Sequence, residues 1–256
     1  MEVLVNDNSV HAFFENLPQC PSRLLMLDYD GTLAPFVLRR DNAAPWPGVR
    51  ERLVALLQDQ RTRVVIVTGR AVEDALRLLD LPETPEIWGS HGWERRLPNG
   101  NYQPPTFRPR QHLALQRERE WLLQHVHAEQ LEFKPASLAV HWRGMKRDAL
   151  AQLRALIVAH RESVDDGLLL HQFDGGVELR VPGRDKGHAV ATLLHEIAPC
   201  AAAYLGDDRT DEDAFRVLRG SGLCVQVRSE PKPTLAQLRL NPPAELLRFL
   251  DQWLEN

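Results

Sequence analysis

"LLMLDYDGTL", residues 24–33, decides the fold. Four apolar residues, 24–27, run directly into Asp28 and Asp30, and Gly31 turns the chain at once. An unbroken apolar run of that length suits a strand buried on both faces, as in parallel sheets. Two further stretches repeat the design: "VVIV" (64–67) ends in Thr68-Gly69-Arg70, and "AAAYL" (201–205) ends in Gly206-Asp207-Asp208. Helical patterns follow at 71–79 and 211–218, and a third, 186–197, feeds the 201–205 run. Thr210 with Asp213 three residues on predicts a capping box at the start of the 211–218 helix. "EIWGS" (86–90) and "GLCVQV" (222–227) read as additional strands, and "PPAELLRFLDQWL" (242–254) as an amphipathic closing helix that packs on the core. Strands alternating with helices predict a doubly wound, Rossmann-like α/β core with a parallel sheet. Such folds bind ligands beyond the C-terminal ends of their strands, where the Asp, Thr and Asp-Asp elements fall.

The stretch 105–183 has a different grammar. Helical patterns at 110–126 and 146–162 are each followed by two strand patterns, 131–135 with 137–143 and 168–174 with 176–182. Short connections favour an antiparallel sheet with helices on one face. The prediction is an inserted α+β cap domain over 105–183, with the core formed by 1–104 and 184–256. Period-two alternation sorts its strands. Leu131, Phe133, Leu138, Val140, Trp142, Val177, Leu179 and Val181 fall on apolar faces; Glu132, Lys134, Ser137, Ala139, His141, Arg143, Glu178 and Arg180 fall on the opposite ones.

Composition limits the function classes. A net charge of −4 over 256 residues implies neither nucleic acid nor a membrane surface as partner. No apolar run approaches the roughly 20 residues of a spanning helix, and the N-terminal "MEVLVNDNSVHAFF" lacks a secretory signal pattern. Cys20, Cys200 and Cys224 lie far apart, which predicts neither a disulfide framework nor a zinc site. The expectation is a cytoplasmic, monomeric protein.

The chemistry lies in the strand ends. Asp28, Asp30, Asp207 and Asp208 would converge in one crevice, where each raises the pKa of its neighbours. A divalent cation relieves that repulsion. With only oxygen donors on offer, Mg²⁺ is favoured over zinc, with Asp28 and Asp207 as direct ligands. Thr68, with backbone N–H groups at a helix start, suits an anion. Lys186 brings a point charge for a phosphate oxygen.

In that order, "DYDGT", "VTGR", "DKG" and "GDDRTDED" resemble the four motifs of the haloacid dehalogenase-like phosphohydrolases. "GSHGWE" (89–94), "KPASLAVHWR" (134–143), "GVELRVPGRDKG" (176–187) and "GDDRTDEDAF" (206–215) narrow the resemblance, over about residues 20–230, to the trehalose-6-phosphate phosphatases. The resemblance implies a Mg²⁺-dependent phosphatase of trehalose biosynthesis that hydrolyses trehalose 6-phosphate, a small sugar phosphate, to trehalose and phosphate. Asp28 would form an aspartyl-phosphate and Asp30 would act as acid and then base. Thr68 and Lys186 would stabilise the phosphoryl group. It places Asp28, the Asp30 carbonyl and Asp207 on the metal, with Asp208 or Asp211 as a third contact. Lys134, His141, Arg143 and Glu178 match positions that read the sugar; His91 and Glu94 would line the cleft. Arg70 would pair with an acid to hold its loop. Trp142 departs from the family, which more often has Tyr there. Sucrose 6-phosphate is the rival substrate, and a phosphosugar mutase the rival reaction. A phospho-accepting signalling domain shares the acid cluster but has a different chain order and does not need an insert.

Overall fold

Period-two alternation explains why residues 24–27 are apolar throughout. Leu25 and Leu27 enter one core layer, Leu24 and Met26 enter the other, and all four are fully buried. The computed structural model describes residues 1–5, 8–173 and 175–256. Two units make up the chain, Met1–Gln103 with Arg184–Asn256, and Pro104–Gly183.

The first unit opens with β1 (Glu2–Val3), α1 (Ser9–Asn16), β2 (Arg23–Leu27), α2 (Val49–Gln58), β3 (Thr62–Val67), α3 (Val72–Leu79), β4 (Glu86–Gly89), β5 (Glu94–Arg96) and β6 (Tyr102–Gln103). The second contains α4 (Pro109–His125), β7 (Leu131–Lys134), β8 (Ser137–His141), α5 (Arg147–Ser163), β9 (Leu169–Phe173) and β10 (Gly176–Arg180). The chain then returns to the first unit as α6 (Lys186–Ile197), β11 (Ala201–Gly206), α7 (Asp211–Leu218), β12 (Leu223–Val227), β13 (Leu238–Leu240) and α8 (Ala244–Glu255).

The first unit's nine-stranded sheet runs β1-β13-β12-β11-β2-β3-β4-β5-β6. Its six central strands, β13 to β4, are parallel, and antiparallel β1, β5 and β6 finish the edges. One face is covered by Val49, Leu53 and Leu56 of α2, Ala75 and Leu78 of α3, and Phe249 and Trp253 of α8. The other is covered by Val190 and Leu193 of α6 and Phe215 and Leu218 of α7. Helices on both faces make the sheet doubly wound, so the central strands are apolar on both sides. Because β3, β2 and β11 are adjacent and parallel, Thr68, Asp28 and Asp207 leave the sheet at one end.

Parallel pairing also corrects the cysteine expectation. β2 and β11 pair with Arg23 opposite Ala201, so the residues just before each strand are neighbours. Cys20 and Cys200 meet there in a disulfide, with Cα atoms 5.3 Å apart and a sequence separation of 180. Sequence spacing carries no trace of such a pair. Cys224 is a free thiol, buried in the core. The α7 N-terminus is a second correction: the Thr210 side chain makes no capping hydrogen bond. Among the described residues, no helix is long and apolar enough to cross a membrane.

The second unit's sheet, β7-β8-β10-β9, is antiparallel throughout. The sequence pattern 168–174 corresponds to β9; its last residue, Asp174, lies outside the described residues. The apolar faces meet the helices as alternation requires. Arg119 of α4 lies over the Phe133 ring at 4.7 Å, and Arg154 of α5 lies over Trp142 at the same distance. Between the helices, buried Glu118 accepts from His160 Nε2 at 3.0 Å and pairs with Arg161 at 3.3 Å.

Candidate active site

Lys186, the first residue of α6, is the centre of the charge cluster. Its Nζ donates to Asp28 Oδ1 at 2.6 Å and to Asp211 Oδ1 at 2.7 Å. Asp211 Oδ1 also accepts from the Tyr204 hydroxyl at 2.7 Å, and its Oδ2 accepts the backbone N–H groups of Asp207 and Asp208 at 3.1 and 3.0 Å. Four donors on one carboxylate match its roughly four lone-pair sites. Asp211 is therefore saturated: it fixes the lysine and the Asp207–Asp208 turn.

Carboxylate oxygens of Asp28, Asp207 and Asp211 lie within 4.8 Å of one another. Burial raises the Asp28 pKa to about 8, with Asp211 pushing the same way and Lys186 pulling against it. Burial, then Asp28 and Asp211, hold Asp207 well above the usual carboxylate range. For Lys186, burial disfavours the ammonium, but Asp211 and Asp28 more than compensate and its pKa is raised. Three buried carboxylates thus share one lysine. Arg228, after β12, donates to the Asp207 backbone carbonyl at 3.3 Å and stands 3.8 Å from its carboxylate. Asp28 Oδ2 and the Asp207 carboxylate accept no hydrogen bond among the described residues. These open, oxygen-only donors in a site short of positive charge fit a hard divalent cation.

Gly31 makes the cluster possible. Its φ is +81°, and a Cβ there would meet the Asp207 carboxyl group at 2.3–2.6 Å. Only glycine allows both the turn and that approach.

Asp30 stands apart from the cluster. Its carboxylate is gripped by Arg70, Nε to Oδ2 and Nη2 to Oδ1, both at 2.7 Å. Of the four acids expected at a metal, Asp28 and Asp207 are brought together. The carboxylates of Asp30 and Asp208 are outside the group, and of the two alternatives for the third contact, Asp208 and Asp211, it is Asp211 that joins it. Thr68 is fully buried at the end of β3, and its Oγ1 accepts the Arg70 backbone N–H at 3.1 Å.

His91 belongs to the same strand-end region. Ser90, His91 and Gly92 are three successive residues at positive φ. The arc is held by backbone bonds from Ser90 N–H to the Arg70 carbonyl (2.7 Å) and from His91 N–H to the Thr68 carbonyl (3.0 Å). The His91 ring lies against Gly69, where a Cβ would sit 2.4 Å from Cε1. Glu94 braces this arc: it accepts from Ser90 Oγ at 2.5 Å, the Tyr102 hydroxyl at 2.8 Å and the Val72 backbone N–H. Burial raises its pKa against those bonds.

In the second unit, Lys134, His141 and Glu178 share one sheet face. Glu178 Oε1 accepts from Lys134 Nζ at 2.7 Å and Ser137 Oγ at 2.6 Å, and Oε2 accepts from Arg180 Nε at 2.7 Å. His141 Nε2 is 2.8 Å from Glu132 Oε2. Arg143 follows the end of β8 and packs on Gly175.

Sequence reading missed Tyr204, Arg228 and the bracing role of Glu94. Tyr204 was hidden inside an apolar run. Arg228 could have been found, because it leaves β12 at the same sheet end as Asp207 leaves β11.

A trehalose-phosphatase family model matches residues 26–244. The trehalose-phosphate phosphatase of Mycobacterium marinum is 30% identical over 245 residues, 90% of this chain and 60% of that protein. Trehalose-phosphate phosphatase B of Arabidopsis thaliana is 30% identical over 261 residues, 91% and 66% of the two chains. The chain thus spans about three-fifths to two-thirds of these relatives' lengths. Among solved structures, Aspergillus fumigatus trehalose-6-phosphate phosphatase is 27% identical with a TM-score of 0.63, covering 97% of this chain and 98% of that one. The C-terminal domain of the Candida albicans enzyme, at 20% identity, shares the fold with a TM-score of 0.79, covering 100% and 99%. A haloacid dehalogenase-like hydrolase of B. subtilis shares it at 0.60, covering 89% and 98%. The chain belongs to the trehalose-phosphatase family.

Proposed function

We propose that the chain hydrolyses trehalose 6-phosphate to trehalose and inorganic phosphate, as a Mg²⁺-dependent phosphoric monoester hydrolase. The observation that carries this reading is the pair of open carboxylates, Asp28 and Asp207, beside a lysine fixed by a saturated Asp211. Asp28 attacks phosphorus; its oxygen bonds to phosphorus as the bond to the sugar oxygen breaks, giving an aspartyl-phosphate. A protonated Asp30 gives its proton to the departing sugar oxygen. In the second half, Asp30 takes a proton from the water that attacks phosphorus, and the bond to Asp28 breaks to release phosphate. Lys186 and the Thr68 hydroxyl hold phosphoryl oxygens through both steps. Asp28 and Asp207 would hold the cation, with the Asp30 backbone carbonyl; when bound, it supplies positive charge where phosphoryl charge develops.

The Pro104–Gly183 unit is proposed as the substrate-reading cap. Lys134, His141, Arg143 and Glu178 would hydrogen-bond sugar hydroxyls; His91 of the first unit is proposed separately as a substrate-binding residue. A site built to bond hydroxyls rejects analogues that lack them.

The test is phosphate release with Mg²⁺ from trehalose 6-phosphate, sucrose 6-phosphate, glucose 6-phosphate and mannose phosphates. Trehalose 6-phosphate should rank first. A better sucrose ester reassigns the cap, and a phosphate shifted within the sugar without release indicates a mutase. A monomer in the cytoplasm belongs to the same proposal. The Cys20–Cys200 pair stands against a reducing compartment, and thiol counting on freshly isolated protein decides between them.

A further inference from the structure

The two acids of the Asp28-x-Asp30 motif pair with different cations. Asp28 is held by Lys186, and Asp30 by Arg70. The Arg70 grip is a fork on a fork, two N–H···O bonds of 2.7 Å in parallel. Arg70 is itself held on several sides. Nη2 also donates to the Arg40 carbonyl at 3.0 Å, and the guanidinium lies over the Tyr29 ring at 5.4 Å. Its backbone N–H binds Thr68 Oγ1, and its carbonyl accepts from Ser90. The Arg70 side chain is 8% exposed while that of Asp30 is 32% exposed. A carboxylate exposed by a third would otherwise sample several rotamers. The fork uses one lone pair on each oxygen and leaves one on each for a proton.

We infer that Arg70 is a positioning residue: it orients the Asp30 carboxyl toward the leaving oxygen and keeps it off Asp28. This rests on the phosphatase reading above. Among the described residues, the Arg70 guanidinium bonds Asp30 and no other acid of the site. It acts only through Asp30, so its contribution scales with how much the leaving group needs a proton. An alkoxide leaving from a sugar phosphate needs one; nitrophenolate leaving from p-nitrophenyl phosphate does not.

The experiment measures kcat on trehalose 6-phosphate and on p-nitrophenyl phosphate for wild type, Arg70→Ala and Arg70→Lys. We expect Arg70→Ala to lose about 100-fold on the sugar ester and no more than about fivefold on the aryl ester. Arg70→Lys should not restore the sugar ester, because an ammonium cannot form the planar fork. Adding Arg70→Ala to Asp30→Asn should cost less than about threefold further. Equal losses on both esters, undiminished sugar-ester turnover, or additive losses with Asp30→Asn overturn the inference while the phosphatase reading stands. A wild type that releases phosphate from neither ester overturns the reading, and the inference with it. Should Arg70→Ala fail to fold, Arg70→Lys gives the same comparison.

Discussion

The two sheets treat acidic residues in opposite ways. At the strand ends of the first unit, Asp28 and Asp211 share Lys186 with Asp207 beside them, and Asp28 and Asp207 keep open oxygens. On the polar face of the second, Glu178 meets Lys134, Ser137 and Arg180, and Glu132 meets His141. The first arrangement is short of positive charge, which is the basis for proposing that it takes up a cation. The second is internally matched, which suits neutral hydroxyls that exchange one hydrogen bond for another. Burial alone does not separate the acid proposed to react from the one proposed to read the sugar, since Asp28 and Glu178 are both almost completely buried. The number of carboxylate oxygens left without a hydrogen-bond donor separates them.

The comparison breaks most directly at Asp28. Asp28→Asn should reduce phosphate release by about 10⁴-fold or more while leaving the circular dichroism spectrum unchanged. Surviving turnover would mean that the open oxygen is not the attacking one. Cation linkage gives the next largest effect. Adding Mg²⁺ at about 100 times its dissociation constant should stabilise the wild type by about 2.7 kcal/mol, read as a rise in Tm. Asp207→Asn should lose most of that rise, and Glu178→Gln should keep it. If both variants respond alike, the contrast between the sheets is wrong.

Glu178→Gln sharpens the other side. It leaves Lys134 and Arg180 without their shared carboxylate, which should cost about 3 kcal/mol in denaturant unfolding. KM for trehalose 6-phosphate should rise about tenfold or more, with turnover of p-nitrophenyl phosphate changed far less. The smallest effect belongs to Trp142, buried on the apolar face beneath Arg154. Trp142→Tyr should cost less than about 1.5 kcal/mol and leave the order of preferred sugar phosphates unaltered. A reordering would place that side chain in recognition.

The central strands and their flanking helices were legible because burial on two faces leaves unbroken apolar runs. The 186–197 and 211–218 patterns correspond residue for residue to α6 and α7. Edge strands were not legible: β1, β5 and β6 have two or three residues each and include Glu2, Arg95, Arg96 and Gln103. Helix α2 was overlooked although Val49, Leu53 and Leu56 mark a buried stripe. At the site, sequence could bring Asp28 and Asp207 to one sheet end. It could not choose between Asp208 and Asp211, because only the first turn of α7 determines which carboxyl group folds back under Lys186. The Arg70 grip was foreseen as a pairing with an unspecified acid; its partner depends on the turn after β2.

The Cys20–Cys200 cross-link lies at the opposite end of β2 and β11 from the acids. Every residue of the Pro104–Gly183 unit falls between the two cysteines in sequence. The backbone there is a closed ring, so a protease nick anywhere within that unit leaves both fragments on one molecule. On a denaturing gel the nicked protein would run as a single band until a thiol is added, and then as two.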